Sequence, residues 1–360
     1  MLSNNVQIYL KTTETCNLNC KHCFTSGSKG AKIFFNPDKT IDFLYRLKRD
    51  KPNIGGVRIL FHGGEPMLAP AKDILKVIDI MDGAFSDTSF GIQTNLTYRI
   101  NNERMKVFDR LKPYGIGASW DYDIRFSNET QKQLFEANSM MLSSRGHDMT
   151  LAVCMSEKLI KECTPKEIME YAKDLGYKHI LFERITGHGN AIDNPGIKPS
   201  NKDQDRWMEQ MWDDYISLGG SSYIHNMLME EVAEAVVNRD HIGNRCRDCE
   251  QSLITINADG TLAGCPNTAP KDYWGSINQS IDDSLRSKKR LKTIACEVSR
   301  DPRCLDCPVF DVCNGDCHQL EWEGDVCGAP KSLMKKLKSE SSWKLKEIEK
   351  AMFNVERLES

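Results

Sequence analysis

Two periods alternate along the first half of the chain. Short runs rich in β-branched and apolar residues read as strands: VQIYL (6–10), VRILFH (57–62), SFGIQT (89–94), GIGAS (115–119), MTLAVCM (149–155) and HILFE (179–183). Between them, apolar residues return at helical spacing around 38–50, 70–84, 102–112, 129–144 and 165–175. Strand and helix alternating to a sixth strand predict a parallel sheet with crossover helices. Six units are fewer than the eight of a closed barrel, and their spacing suits a partial one. A doubly wound open sheet has the same periodicity, so the pattern alone leaves both geometries open.

The pattern changes after RITGHGNAIDNPGIKPSNKD (184–203), whose Gly, Pro and Asn content predicts a loop. Two helices are expected next, at about 203–217 and 222–238. From 245 to 330 the chain is rich in cysteine and turns, with little regular periodicity. A segment of that kind buries little apolar surface, so bound metal would supply much of its folding energy. Leu333, Leu337, Leu345, Ile348, Met352 and Val355 then recur at roughly helical spacing. The expected organisation is a body over 1–235, a cysteine-rich domain over 236–330 and a C-terminal amphipathic helix over 331–360.

Charge adds mainly exclusions. The formal net charge of −3 is spread without a basic stripe or an acidic tail, which speaks against nucleic acid as a partner. The segment MLSNNVQIYL has no apolar run of secretory length, and no stretch reaches the apolar length of a membrane span. The expected compartment is the cytoplasm, where disulfides are rare. Fourteen cysteines in that setting point to metal. Three fall within residues 16–23, and eight more recur at short spacings between Cys246 and Cys327. Cys154, Cys163 and Cys296 stand apart and read as small packing residues.

Cys16, Cys20 and Cys23 follow the first strand, and loops at the carboxyl ends of parallel strands build active sites. Three thiolates can hold three irons of a cubane and leave the fourth open to a ligand. A zinc site completed by His22 is the competing reading. CNLNCKHCF resembles the CxxxCxΦC signature of radical S-adenosylmethionine (SAM) enzymes, with His22 at the Φ position. HGGEP (62–66), one strand–helix unit later, is similar to that family's GGEP motif. The resemblance implies that SAM chelates the open iron and that Gly63, Gly64 and Glu65 hold its amino group. By the same resemblance Asn95, in QTN, and Ser119, in SWD, would face SAM. Asp121 would belong to the same group, although Tyr122 stands where relatives have glycine. Arg125 would pair with the SAM carboxylate, since a guanidinium suits bidentate contact.

The later cysteines run Cys246, Cys249, Gly260-x4-Cys265, Cys304-x2-Cys307-x5-Cys313-x3-Cys317 and Cys327. This resembles the SPASM domain, a C-terminal extension of some radical SAM enzymes. The resemblance implies two auxiliary clusters, one on Cys246, Cys249, Cys265 and Cys317, the other on Cys304, Cys307, Cys313 and Cys327. By count the same eight cysteines could hold two zinc ions. The implied fold is a partial (β/α)6 TIM-like barrel, an irregular Fe–S-binding SPASM domain and a final helix. The implied cofactors are SAM and three [4Fe-4S] clusters.

The resemblance further implies an oxidoreductase that cleaves SAM reductively and abstracts hydrogen from a residue of a ribosomally made precursor peptide. The expected product is an intrapeptide cross-link of C–C, ether or thioether type. Formylglycine-type oxidation of a Ser or Cys is the alternative. Relatives of that kind carry an aspartate base directly after the cysteine of the G-x4-C element, and here Pro266 has no acid–base group. Asp259 and Asp316 are the nearby substitutes, and the base stays unassigned. With the first cysteine only 15 residues from the start, no fused N-terminal peptide-recognition domain is expected. The implied partners are the peptide and an electron donor such as flavodoxin or ferredoxin. A non-catalytic iron–sulfur or zinc module is the reading of another class.

Overall fold

The structure, a computed structural model, describes residues 2–25, 27–238, 241 and 247–340. The expectations for Cys246 and for residues 341–360 lie outside the described residues.

β1 (Asn5–Thr13), β2 (Gly56–Gly63), β3 (Asp87–Thr94), β4 (Ile116–Trp120), β5 (Met149–Met155) and β6 (His179–Arg184) lie side by side in chain order, each parallel to the next. The order never reverses, so there is no switch point of the doubly wound kind. This is the partial barrel. Alternation within each strand sorts its residues. Val6, Ile8 and Leu10 of β1 are buried, as are Leu151 and Val153 of β5 and Ile180 and Phe182 of β6. These face the surrounding helices, as the Phe182–Trp207 ring contact shows. Tyr9, Lys11, His62, Cys154 and Glu183 therefore lie on the other face, toward the barrel lumen.

The helices α1 (Pro37–Asp50), α2 (Ala71–Met81), α3 (Asn102–Leu111), α4 (Glu129–Ser144), α5 (Glu157–Glu162) and α6 (Pro165–Asp174) fill the crossovers. Asn36, Asn101, Asn128, Ser156 and Thr164 cap five of them through their side chains. Each such cap is worth about 1 kcal/mol. The six-residue α5 is too short to show a period, and its cap Ser156 was its only signal. α7 (Asn201–Ser217) follows the loop. The next helix, α8 (Met227–Asn238), starts five residues later than its apolar pattern suggests. Gly219 and Gly220 have positive φ there, and the short strand β7 (His225–Asn226) pairs with β6 first.

The cysteine-rich segment departs furthest from expectation. It contains β8 (Leu253–Ile256), β9 (Thr261–Ala263) and β10 (Gly275–Ser276), which extend the barrel sheet. β8 runs parallel to β1, and β9 folds back antiparallel through a turn closed by Gly260 at φ +83°. Ile254, Ile256, Leu262, Trp274 and Ile277 join the same apolar core as the barrel. The segment thus buries apolar surface of its own, contrary to the expectation from its weak periodicity. The helix Lys331–Ser339 buries Leu333, Met334 and Leu337 against α7 and α8.

Candidate active site

The loop carrying the cysteine triad is held from below by GGEP. Gly64 N–H donates to Thr13 O at 2.9 Å and Glu65 N–H to Thr15 O at 3.0 Å. A Cβ on Gly63 would sit 2.3 Å from Thr13 O, and one on Gly64 2.0 Å from Thr15 O. Only glycine lets the two backbones meet at that spacing. Glu65 is fully buried and accepts from Asn95 N (2.8 Å), Met67 N (3.0 Å) and Thr94 Oγ1 (2.8 Å). Burial nevertheless raises its carboxyl to about 7.

Asn95 then reaches the triad directly. Its Nδ2 lies 3.5 Å from Cys16 Sγ and 2.9 Å from Asn17 Oδ1, and Leu18 N–H donates to the same sulfur at 3.3 Å. Burial pushes the Cys16 thiol up to about 12, with Glu65, Cys20 and Cys23 adding to the rise, and burial pushes Cys20 to about 11. Buried thiols in one another's field become thiolates when a cation replaces their protons. Two N–H donors already aimed at Cys16 sulfur fit an iron–sulfur ligand. The triad therefore fits a cluster.

The loop after β6 clamps the triad from the other side. Asn190 donates from its N–H to Cys23 O (2.8 Å) and from Nδ2 to Cys20 O (2.9 Å). Gly189 has positive φ and passes so close that its Cβ would meet Cys23 O at 2.2 Å. These loop residues lacked a sequence signal beyond their Asn and Gly content.

At the ends of β4 and β5, Asp121 is buried and organises a network. Its Oδ2 accepts from Arg125 Nε at 2.7 Å and lies 3.5 Å from His22 Nε2. Its Oδ1 accepts from Cys154 N–H at 2.6 Å. His22, Asp121 and Cys154 converge within 4.8 Å. Asp121 neutralises Arg125, whose remaining amine lies 3.5 Å from His22 Nε2. Ser119 accepts from Gln93 Nε2 at 2.7 Å across the lumen face. The structure thus brings Asn95 and Arg125 into contact with Cys16 and Cys20, while Glu65 and Asp121 hold those two residues and the triad loop in place.

Two charged lumen residues had not been singled out. Glu183 makes no hydrogen bond or ion pair with a described residue. Solvent reaches it through the open lumen, yet the surrounding protein raises its pKa, helped by the neighbouring Asp121 carboxylate. Lys11, on β1, is 2% exposed. Each is an ordinary charge at the end of a strand run, and only strand register gives it a place.

The later cysteines form two neighbourhoods. Cys304, Cys307, Cys313 and Cys327 line a cavity of about 40 Å³, with Cys317 and Asp316 in its wall. Cys265 is half-buried, and desolvation pushes its thiol up to about 12, with Cys317 close enough to contribute. Burial raises the Tyr9 hydroxyl on β1, and Glu183, Cys265 and Cys249 are close enough to add to the rise. Among the described residues no cysteine is joined in a disulfide, and Cys296 is exposed on the helix Lys288–Val298 rather than packed. Asp259 is exposed in the β8–β9 turn, its Oδ1 accepting from Thr261 N at 2.9 Å. Asp316 is buried in a bidentate pair with Arg184, at 2.8 and 2.9 Å.

Among the described residues no helix is long and apolar enough to cross a membrane. The family model described as the radical SAM superfamily matches residues 10–122. An uncharacterized protein of Methanocaldococcus jannaschii is 31% identical over 320 residues, covering 82% of this chain and 96% of the relative. Native anSMEcpe, an anaerobic sulfatase-maturating enzyme solved with AdoMet and the Cp18Cys peptide, superposes with a TM-score of 0.76. It is 16% identical and the match covers 96% of this chain and 98% of that one. Streptococcus suis SuiB bound to its precursor peptide SuiA gives a TM-score of 0.63 at 14% identity, covering 89% of this chain and 73% of that one. With its open cysteine triad, its GGEP cradle and its partial barrel, the chain belongs to the radical SAM superfamily and is an enzyme that uses a [4Fe-4S] cluster and SAM.

Proposed function

We propose that this enzyme is a maturase of the SPASM type that modifies a ribosomally made peptide. The observation that carries this reading is the contrast between the cysteine groups. One triad of three stands at the open carboxyl end of the barrel, while Cys304, Cys307, Cys313, Cys317 and Cys327 line a single cavity in the C-terminal segment. Cys16, Cys20 and Cys23 would hold the SAM-binding cluster. Cys304, Cys307, Cys313 and Cys327 would hold one auxiliary cluster, and Cys249, Cys265 and Cys317, with Cys246, the other. Bound there, the cluster and SAM supply one-electron cleavage of a C–S bond and abstraction of hydrogen from an unactivated C–H bond.

The protein's own residues position and protect that chemistry. The Gly63–Glu65 backbone and Asn95 would orient SAM, and Ser119 would face its ribose or carboxylate. Asp121 holds Arg125 and His22 in place beside it. Bound SAM and peptide would fill the lumen and keep water from the reacting carbon. Glu183 is the carboxylate best suited to take the proton released when the substrate radical is oxidised. It is uncommitted, faces the lumen and has a raised pKa. Asp316 is occupied by Arg184 and Asp259 by its own turn, so both read as structural.

A peptide substrate is supported by the peptides bound in the two similar structures. Cross-linking is preferred over formylglycine formation because Pro266 stands in place of an aspartate. The test is anaerobic reconstitution with a candidate small peptide encoded nearby. Mass spectrometry should find peptide that has lost hydrogens together with 5′-deoxyadenosine. Deoxyadenosine formed at the normal rate by Cys16→Ala would sink the role of the triad.

A further inference from the structure

Lys11 is a charge set almost wholly inside the barrel wall, with no ion-pair or hydrogen-bond partner among the described residues. It occupies the lumen face of β1, opposite His62 of β2, and only 2% of its surface is exposed. It makes no hydrogen bond or ion pair with any described residue. Its Nζ lies 5.6 Å from the centre of the Phe24 ring and 5.8 Å from that of Tyr273. Phe24 directly follows Cys23, and Tyr273 comes from the segment that carries Cys265. Glu14 is a neighbour beyond ion-pair distance, its Oε1 taken by Ala258 N–H at 3.2 Å. The ammonium therefore stands between the triad loop and the C-terminal segment, with aromatic faces on two sides.

Burying an ammonium without an acceptor is costly. The aromatic faces offset part of that cost but accept none of its three N–H donors. A group kept in that state is usually kept for a ligand. The ligand's charge follows from the surroundings. One ammonium faces the site, and Glu14, Cys265, Cys23 and Asp259 act on it without reaching ion-pair contact. A single carboxylate pairs with this single unshared cation, whereas a doubly charged phosphate would leave one of its charges unmatched.

We propose that Lys11 is a substrate-anchoring residue that binds a carboxylate of the peptide inside the lumen. The carboxylate is either that of an Asp or Glu side chain or the peptide's C-terminus. This rests on the peptide-maturase reading and adds a recognition element to it. Lys11 fixes which stretch of peptide enters and how far, so that the reacting carbon stops beside SAM.

Three blocked tripeptides test this by anaerobic titration calorimetry on the reconstituted holoenzyme with SAM. The first has a central glutamate and an amidated end. The second has a central glutamine and a free C-terminal carboxylate. The third has glutamine and an amidated end. The wild-type enzyme should bind one of the first two about tenfold or more tighter than the third, as a charge-assisted hydrogen bond implies. Which one wins identifies the source of the carboxylate. In Lys11→Met that preference should fall to about twofold or less, and Lys11→Arg should restore part of it. Equal or absent binding of all three by the wild-type enzyme overturns the proposal, whatever the variants do. So does a preference that survives in Lys11→Met. Deoxyadenosine formation in the same preparations tests the maturase reading separately, and it can stand when the Lys11 proposal falls.

Discussion

Glu65 accepts three hydrogen bonds, and burial still lifts its carboxyl from 4.5 to about 7. The folded state then holds a proton that the unfolded chain has released. Stability linked to Glu65 is present at low pH and lost as pH rises from about 4.5 through about 7, by about 3 kcal/mol in all. Urea unfolding of the cluster-free protein should show that loss, and Glu65→Gln should remove this part of the pH slope. Parallel slopes for the two proteins would contradict it. Glu183 gives a second prediction, on activity. Glu183→Gln should form deoxyadenosine within about twofold of wild type but lower the modified peptide by about a hundredfold, the usual scale for a lost proton acceptor. Unchanged peptide yield would rule Glu183 out. At this scale the cysteines and GGEP were legible in the sequence because they recur at fixed spacings. Lys11, Glu183 and Asn190 were not, because each gains its meaning from a strand or loop far away in the chain. Lys11 matters because Tyr273 and Phe24 meet over it, and no spacing encodes that.

Five of the six barrel strands were legible to within two residues at either end because one face of each is apolar, whereas β1 runs three residues past VQIYL to Thr13. MTLAVCM was placed at its observed bounds, 149–155. β8 and β9 were hidden by length: four and three residues show no period, and the barrel partner of β8, β1, lies some 250 residues earlier in the sequence. α5 failed for the same reason. The link between element and site is sharpest where β2 ends. Gly64→Ala would put a methyl carbon 2.0 Å from Thr15 O, so residues 63–65 must part from 13–15. The strain should cost about 1–3 kcal/mol. It should also lower iron bound by the triad after reconstitution. Gly55→Ala is the control, since nothing lies within 4 Å of its added carbon. Equal iron in both variants would show that the GGEP contact does not support the triad.

At the scale of the whole molecule, the barrel is fastened to the cysteine-rich segment by the β1–β8 pairing, by the shared apolar core and by one buried ion pair. Arg184, the last residue of β6, grips Asp316 with both amines and also donates to Gly328 O at 2.9 Å. The two side chains are 5% and 3% exposed. Asp316 sits between Cys313 and Cys317 at φ +51°, and Cys317 N–H donates to its Oδ1 at 2.6 Å. The pair therefore connects the lumen strand that bears Glu183 to the wall of the C-terminal cysteine cavity. Removing one partner leaves the other charge buried and alone, which costs about 3–5 kcal/mol. Arg184→Met and Asp316→Asn should each lower the unfolding midpoint. Each should also lower iron content by more than the triad alone holds. The double variant should lose clearly less than the sum of the two, because no charge is stranded. Asp316 as a catalytic base predicts something different: Asp316→Asn would keep its iron and its stability and lose only product. Iron analysis and urea unfolding of that one variant, set beside its peptide yield, decide between a strut and a base.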